Sequence, residues 1–225
     1  MQIKSVLSRF LELLFPPRCA LCGAVIPAGV QVCTRCRQEN PCVHAEKRID
    51  LPEGGKTISC KVPYRYEGKI REAIIRFKFY GRTSSAIFFG ERVADEFAGQ
   101  ADQFDFITSV PVSAQRKKRR GYNQSELIAR NAAQRLRLPY AEVLEKIADN
   151  PEQHKLSRED RKRNVCGVYR LLSSGTIQGK RILLIDDIVT TGATLGECAK
   201  ELLEAGAQAV TCATIAEVEY PQLKS

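Results

Sequence analysis

Apolar positions recur along this chain with two periods. Ile70, Ile74 and Phe77, with Ala73 on the same side, keep the helical period. Val93, Ala94 and Phe97 predict a second helix ending near Gly99. Phe104 to Val110 reads as a strand running into Pro111. Asn123 with Glu126 forms a capping pair for a helix whose buried face carries Ile128, Ala132 and Leu136. Arg181 to Ile185 is a short apolar run of the kind that suits a buried parallel strand. Leu195, Cys198, Ala199, Leu202 and Leu203 then trace a helix that Gly206 ends, and Val210 to Ile215 returns as another buried strand. Strand, helix and strand in that order make a βαβ unit, so an α/β fold with a parallel sheet core is expected from about residue 62 onward.

The first part of the chain is built differently. Val6, Phe10, Leu13 and Leu14 share one face of a short predicted helix, read as packing against the cysteine-rich segment after it. Six of the nine cysteines fall between Cys19 and Cys60, and Cys166, Cys198 and Cys212 are scattered. Cys19-x-x-Cys22 is followed after ten residues by Cys33-x-x-Cys36. Each pair can aim two thiolates at one ion from a tight turn, which Gly23 eases, and two such knuckles supply the four sulfurs of a closed tetrahedral zinc site. A segment this short cannot build its own hydrophobic core, so the metal supplies much of its folding free energy. Four unrelated thiols would not fall into two regular pairs, and a redox site needs only one pair, in a strand–helix context. Cys42 and Cys60 lack a CxxC partner and are read as non-ligands, and His44 as a surface residue. The expected organisation is therefore a helix and zinc-ribbon module over residues 1–60 and an α/β domain over 61–225.

Composition adds two bounds. With 44% hydrophobic and 27% charged residues in 225, the chain reads as an ordinary globular protein. No apolar run of about 18 residues exists to span a membrane. The N-terminal apolar stretch is interrupted by Arg9 and Glu12 and has no small-residue cleavage site, so a cytoplasmic location is expected. A net charge of +9 calls for a polyanionic partner, and both phosphate-rich small molecules and nucleic acid satisfy that.

Candidate chemistry concentrates in Ile182 to Thr194, where Asp186 and Asp187 end a buried strand and Thr190-Thr191-Gly192-Ala193-Thr194 leads into a helix. At the carboxyl edge of an α/β sheet, helix N-termini offer free N–H groups to anions. Three threonine hydroxyls add donors, Gly192 lets the backbone approach, and the two acids can accept hydrogen bonds from vicinal sugar hydroxyls. Two acids alone can cap a helix and Thr-Thr-Gly alone can turn a chain. The ordered combination resembles the motif with which type I phosphoribosyltransferases bind phosphoribosyl pyrophosphate (PRPP). The resemblance implies that Asp186 and Asp187 hold the ribose 2′- and 3′-hydroxyls and that Thr190 to Thr194 bind the 5′-phosphate.

Two basic segments accompany this motif. Arg116, Lys117, Lys118, Arg119 and Arg120 form a run that is either a solvated loop or a pyrophosphate clamp at the same sheet edge. Gln153 to Asn164, with Arg158, Arg161 and Arg163, is either a mobile lid over PRPP or a nucleic-acid contact, and its His154 is read as a surface residue. Tyr80 and Tyr122 lie near basic residues and could stack on bases.

Taken together, the Cys19–Cys36 ribbon, Tyr66-Glu-Gly68, Arg120-Gly-Tyr-Asn-Gln-Ser-Glu126, the Gln153–Asn164 segment and the PRPP motif resemble the ComF family of competence-associated, phosphoribosyltransferase-like proteins over nearly the whole chain. One departure is Ala45, three residues after Cys42, where a second knuckle would be completed. The resemblance implies a role in handling incoming single-stranded DNA, with competence-machinery proteins as partners. Three readings are open: a pentosyltransferase that uses Mg²⁺–PRPP and an acceptor the sequence does not name; a single-stranded-DNA-binding factor that keeps the PRPP site as sensor or relic; and a scaffold whose zinc ribbon docks another protein.

Overall fold

The computed structural model describes residues 16–52, 55–148, 167–172 and 177–219. The predicted helix at Val6–Leu14 and the segment Gln153–Asn164, with Arg158, Arg161 and Arg163, lie outside the described residues.

The central sheet has the order β1-β2-β9-β7-β4. Strands β2 (Thr57–Val62), β9 (Ala209–Ala213), β7 (Arg181–Ile185) and β4 (Phe106–Ser109) run parallel, and β1 (Ala45–Asp50) closes one edge antiparallel to β2. β7 shows why an uninterrupted apolar run folds here. Its Leu183 and Ile185 enter the core on one face of the sheet, and Ile182 and Leu184 enter the core on the other. A strand covered on both faces needs apolar residues at every position.

On the first face lie α2 (Gly68–Phe79), α3 (Ser85–Asp95) and α5 (Gln124–Leu136). Ile70, Ala73, Ile74 and Phe77 are the buried residues of α2, as their spacing predicts. On the second face α6 (Ala193–Glu204) buries Leu195, Cys198, Ala199 and Leu202. At the carboxyl end of the sheet, β3 (Tyr64–Arg65), β10 (Ala216–Glu217) and β8 (Ile188–Val189) form a small parallel sheet. β5 (Leu144–Lys146) and β6 (Tyr169–Leu171) pair antiparallel beside α6.

Two expectations change in detail. The basic run is not a loop but a helix, α4 (Ala114–Arg120), whose N-terminus is capped by Ser113 Oγ accepting from Arg116 N at 3.3 Å. Four basic residues in its last turn complement the negative end of its dipole. At α5, Asn123 does cap, accepting from Ser125 N at 3.1 Å, but Glu126 instead pairs with Lys117 and Arg130.

The ribbon precedes this body, with a short helix α1 (Thr34–Glu39) carrying Cys36. The β1–β2 hairpin belongs to the central sheet, with Cys60 opposite Cys212, so a division at residue 60 falls inside β2.

Candidate functional site

β7 ends at Ile185, and the chain leaves the sheet with Asp186 N donating to Ala213 O at 3.0 Å. The two acids therefore stand at the carboxyl edge of the sheet. Gly192 occupies the N-cap of α6 at φ 84°, and its α-carbon lies where a Cβ would meet Ile49 Cδ1 at 2.7 Å. Only glycine meets both demands without strain. Ala193 N donates to Thr191 Oγ1 at 3.3 Å, which tightens the turn over the first residues of the helix. Asp186, Asp187 and all five residues Thr190 to Thr194 line one open cleft of about 380 Å³.

Each acid already has partners. Asp186 Oδ1 accepts from Ser125 Oγ at 2.7 Å and from Asp187 N at 2.8 Å. Burial, reinforced by the neighbouring charge of Asp187, pushes the Asp186 carboxyl up to about 7; the Ser125 and Asp187 hydrogen bonds and Lys78 oppose the rise. Asp187 Oδ1 lies 2.9 Å from Lys78 Nζ, an ion pair with both side chains mostly buried.

The helical period divides the basic run. Arg116 and Arg120, four apart, share a face and line the cleft, whereas Lys117 and Arg119 are exposed and do not. Arg120 donates to Gln124 Oε1 at 2.9 Å, and its guanidinium lies 5.0 Å from the centroid of the Phe79 ring. Its Nε is buried with no hydrogen-bond partner among the described residues. Burial draws the Arg120 pKa down, while Asp187 holds it up.

Four cleft residues escaped the sequence reading: Lys78, Ser125, Lys146 and Tyr169. Lys78 sits on the polar side of a helix whose apolar side alone gave a signal. Ser125 stands just beyond the basic run and Gly121, so its place in that segment was the available hint. Lys146 and Tyr169 face each other across β5 and β6, in strands too short to show a period. Tyr122 is not available for base stacking: its ring stacks on Phe77 at 6.0 Å, and its hydroxyl donates to Phe77 O. Tyr80 is 73% exposed.

In the ribbon, the sulfurs of Cys19, Cys22, Cys33 and Cys36 all lie within 4.8 Å of one another, and Cys22 and Cys33 Sγ are 3.8 Å apart. Tetrahedral zinc with Zn–S of about 2.3 Å separates its sulfurs by about 3.8 Å, so the donor set and spacing fit structural zinc. Cys33 N donates to Cys19 Sγ at 3.4 Å, the kind of contact that favours a thiolate. Among the described residues no other group of three or more potential ligands gathers. Cys42 stands apart, Cys60 is buried in the sheet, and His44 is exposed with Nδ1 2.7 Å from Glu96 Oε1. Nor is any helix among them long and apolar enough to cross a membrane.

Two family models match the chain: the phosphoribosyl transferase domain over residues 83–224 and the double zinc ribbon domain over residues 10–47. Competence protein F of Haemophilus influenzae is 26% identical over 204 residues, covering 86% of this chain and 82% of that protein. The chain belongs to the ComF family. Competence protein ComFC of Bacillus subtilis is 31% identical to this ComF protein over 153 residues, covering 64% of the chain and 57% of the relative. DNA utilization protein YhgH of Escherichia coli is 39% identical over 107 residues, 47% and 46% of the two chains. The match thus spans about half the length of the DNA utilization proteins. The ribbon model ends at residue 47, where β1 has already begun, and the cleft acids fall within the transferase match.

Proposed function

We propose that this ComF protein binds Mg²⁺–PRPP in the cleft at Asp186–Thr194 and acts in handling DNA during uptake. One observation carries the binding part: two acids at the carboxyl end of β7 and a hydroxyl-rich turn at the head of α6 share one open cleft with two half-buried arginines. The DNA part is supported by relatives named for competence and DNA utilization.

In this reading, the 5′-phosphate meets backbone N–H groups and the hydroxyls of Thr190, Thr191 and Thr194 at the start of α6. Asp186 and Asp187 accept from the 2′- and 3′-hydroxyls, and Arg116 and Arg120 flank the pyrophosphate. Mg²⁺ travels with the substrate and offsets part of its charge. If transfer occurs, a nucleophile bonds to C1 as the C1–O bond to pyrophosphate breaks and its electron pair leaves on the pyrophosphate. The fixed cations then stabilise charge that develops on the leaving group. The reaction class is pentosyl transfer, with the acceptor unassigned.

Calorimetric titration of the zinc-loaded protein with Mg²⁺–PRPP tests the reading. Binding by the wild type and its loss in a folded Asp186→Asn, Asp187→Asn variant is the expected result. Equal binding by both proteins would remove PRPP from this cleft.

A second reading is favoured by the exposed side of α4, with Lys117, Lys118 and Arg119, and by exposed Tyr80. We infer that this surface contacts single-stranded DNA, with phosphates on the cations and a base on the ring. The expected affinity falls steeply with salt, and binding that ignores salt would count against it.

A further inference from the structure

Lys78 lies in the last turn of α2, where the helix dipole favours a cation. Its Nζ is 2.9 Å from Asp187 Oδ1, and the two side chains are only 16% and 13% exposed. Such a pair is normally read as a structural brace. This one lines an open cleft, so one of its members can change partner without disturbing the core. Arg120, another cation lining the cleft, is less free, because it is bonded to Gln124 and lies against the Phe79 ring. Lysine carries three donors on a flexible four-carbon stem and can turn about its own chain.

The stereochemistry of the ligand supplies the other half of the argument. In PRPP the oxygen on C1 lies on the same face of the ribose ring as the 2′- and 3′-hydroxyls. A cation resting on the carboxylate that receives those hydroxyls therefore stands next to the pyrophosphate. We propose that Lys78 is a pyrophosphate-binding residue, resting on Asp187 in the free protein and turning to the pyrophosphate when the ribose diol takes the carboxylate. The assignment rests on the reading of this cleft as a PRPP site.

The exchange makes the two halves of the ligand interdependent. PRPP displaces Lys78 from Asp187 and gives it a new anion. Ribose 5-phosphate displaces it and offers nothing in return. The wild type therefore discriminates between these ligands partly through Lys78, and its removal narrows the gap.

The test is calorimetric titration of the full, zinc-loaded chain with PRPP and with ribose 5-phosphate, both in Mg²⁺. Lys78→Met is expected to lower the affinity for PRPP by about ten- to a hundredfold, the range for a lost charge-assisted hydrogen bond, and to leave ribose 5-phosphate unchanged or tighter. Lys78→Arg, which keeps the charge, should recover part of the PRPP affinity. A PRPP to ribose 5-phosphate affinity ratio unchanged in Lys78→Met overturns the assignment, whether both ligands weaken together or neither does. Thermal melting of each variant alongside the wild type separates lost binding from lost folding. Failure of the wild type to bind PRPP is a different outcome, since it defeats the PRPP reading and takes the Lys78 assignment with it.

Discussion

At the scale of single residues, Asp186 is the group whose environment says most. It is half-buried at the edge of the cleft, its carboxylate accepts two hydrogen bonds on Oδ1 and it sits against the charge of Asp187, with Lys78 as an opposing cation. Its pKa of about 7 stands above the ordinary carboxylate value of about 3.9, so between these two values the folded protein holds a proton that the unfolded chain releases. Its contribution to stability is full below about pH 4 and is lost as pH rises through about 7. Asparagine cannot ionise but keeps an oxygen for Ser125 Oγ and Asp187 N. Asp186→Asn should therefore gain in unfolding free energy on the wild type between pH 5 and pH 7, by up to roughly 1.4 kcal/mol per pH unit, with a matching rise in relative melting temperature, and level off above. Parallel melting curves across that range would mean that Asp186 ionises like a solvated acid. Thermal melts of the two proteins in matched buffers decide it. Gly196 makes a related point, since a Cβ there would lie 2.5 Å from the Asp50 carbonyl. The β1 edge is thus pressed against the first turns of α6, and the turn below the cleft has little room to shift.

At the scale of elements, α4 separates two tasks that the string of letters leaves merged. Five basic residues in a row look equivalent, but winding them into a helix sends Arg116 and Arg120 to the cleft and leaves Lys117, Lys118 and Arg119 in solvent. Replacing Arg116 and Arg120 with alanine should weaken PRPP binding, and replacing the three exposed residues should leave it within a factor of about two. On single-stranded DNA the pattern should reverse, with the second variant losing up to about two units of the salt slope, at about 0.7 for each of three phosphate contacts, which salt-series titrations would read out. If both variants lost both ligands alike, the helix would not divide in this way. The same contrast explains what was legible beforehand. β7, the acidic pair, the phosphate turn and α6 could be read because strand period, motif and helix period are all local to residues 181–204. The β1–β2 hairpin could not, because β1 exposes alternate charged residues at a sheet edge and only Ile49 is buried in it. β3, β8 and β10 are two residues each, shorter than any period. Lys78 and Ser125 reach the acids only through tertiary packing, and no spacing in the sequence announces an ion pair between α2 and the end of β7.

At the scale of the whole molecule, the ribbon and the transferase-like body share one core. Cys19, Leu21, Ile26, Val32 and Cys36 belong to the same buried cluster as Ile74 and Phe77 of α2 and Phe89 of α3. The first knuckle is also held from the body by polar contacts. Arg76, on α2, donates to Leu21 O, and Ser85 Oγ, on α3, donates to Ala20 O at 3.5 Å. Arg76 stands two residues before Lys78, so the element that grips the knuckle is the one that carries a cation to Asp187. A ribbon that was merely tethered would melt alone when stripped of metal and leave the cleft intact. A ribbon that completes the core around α2 would take α2 with it. Chelation of zinc, or Cys19→Ser with Cys36→Ser, should therefore lower the melting temperature of the chain in a single transition. It should also weaken Mg²⁺–PRPP binding, although no ribbon residue lines that cleft. Calorimetric scans of the metal-loaded and metal-free protein, followed by titration at a temperature where both remain folded, measure the two effects separately. Two transitions, with the upper one and the affinity untouched, would instead make the ribbon an independent module attached to a self-sufficient domain.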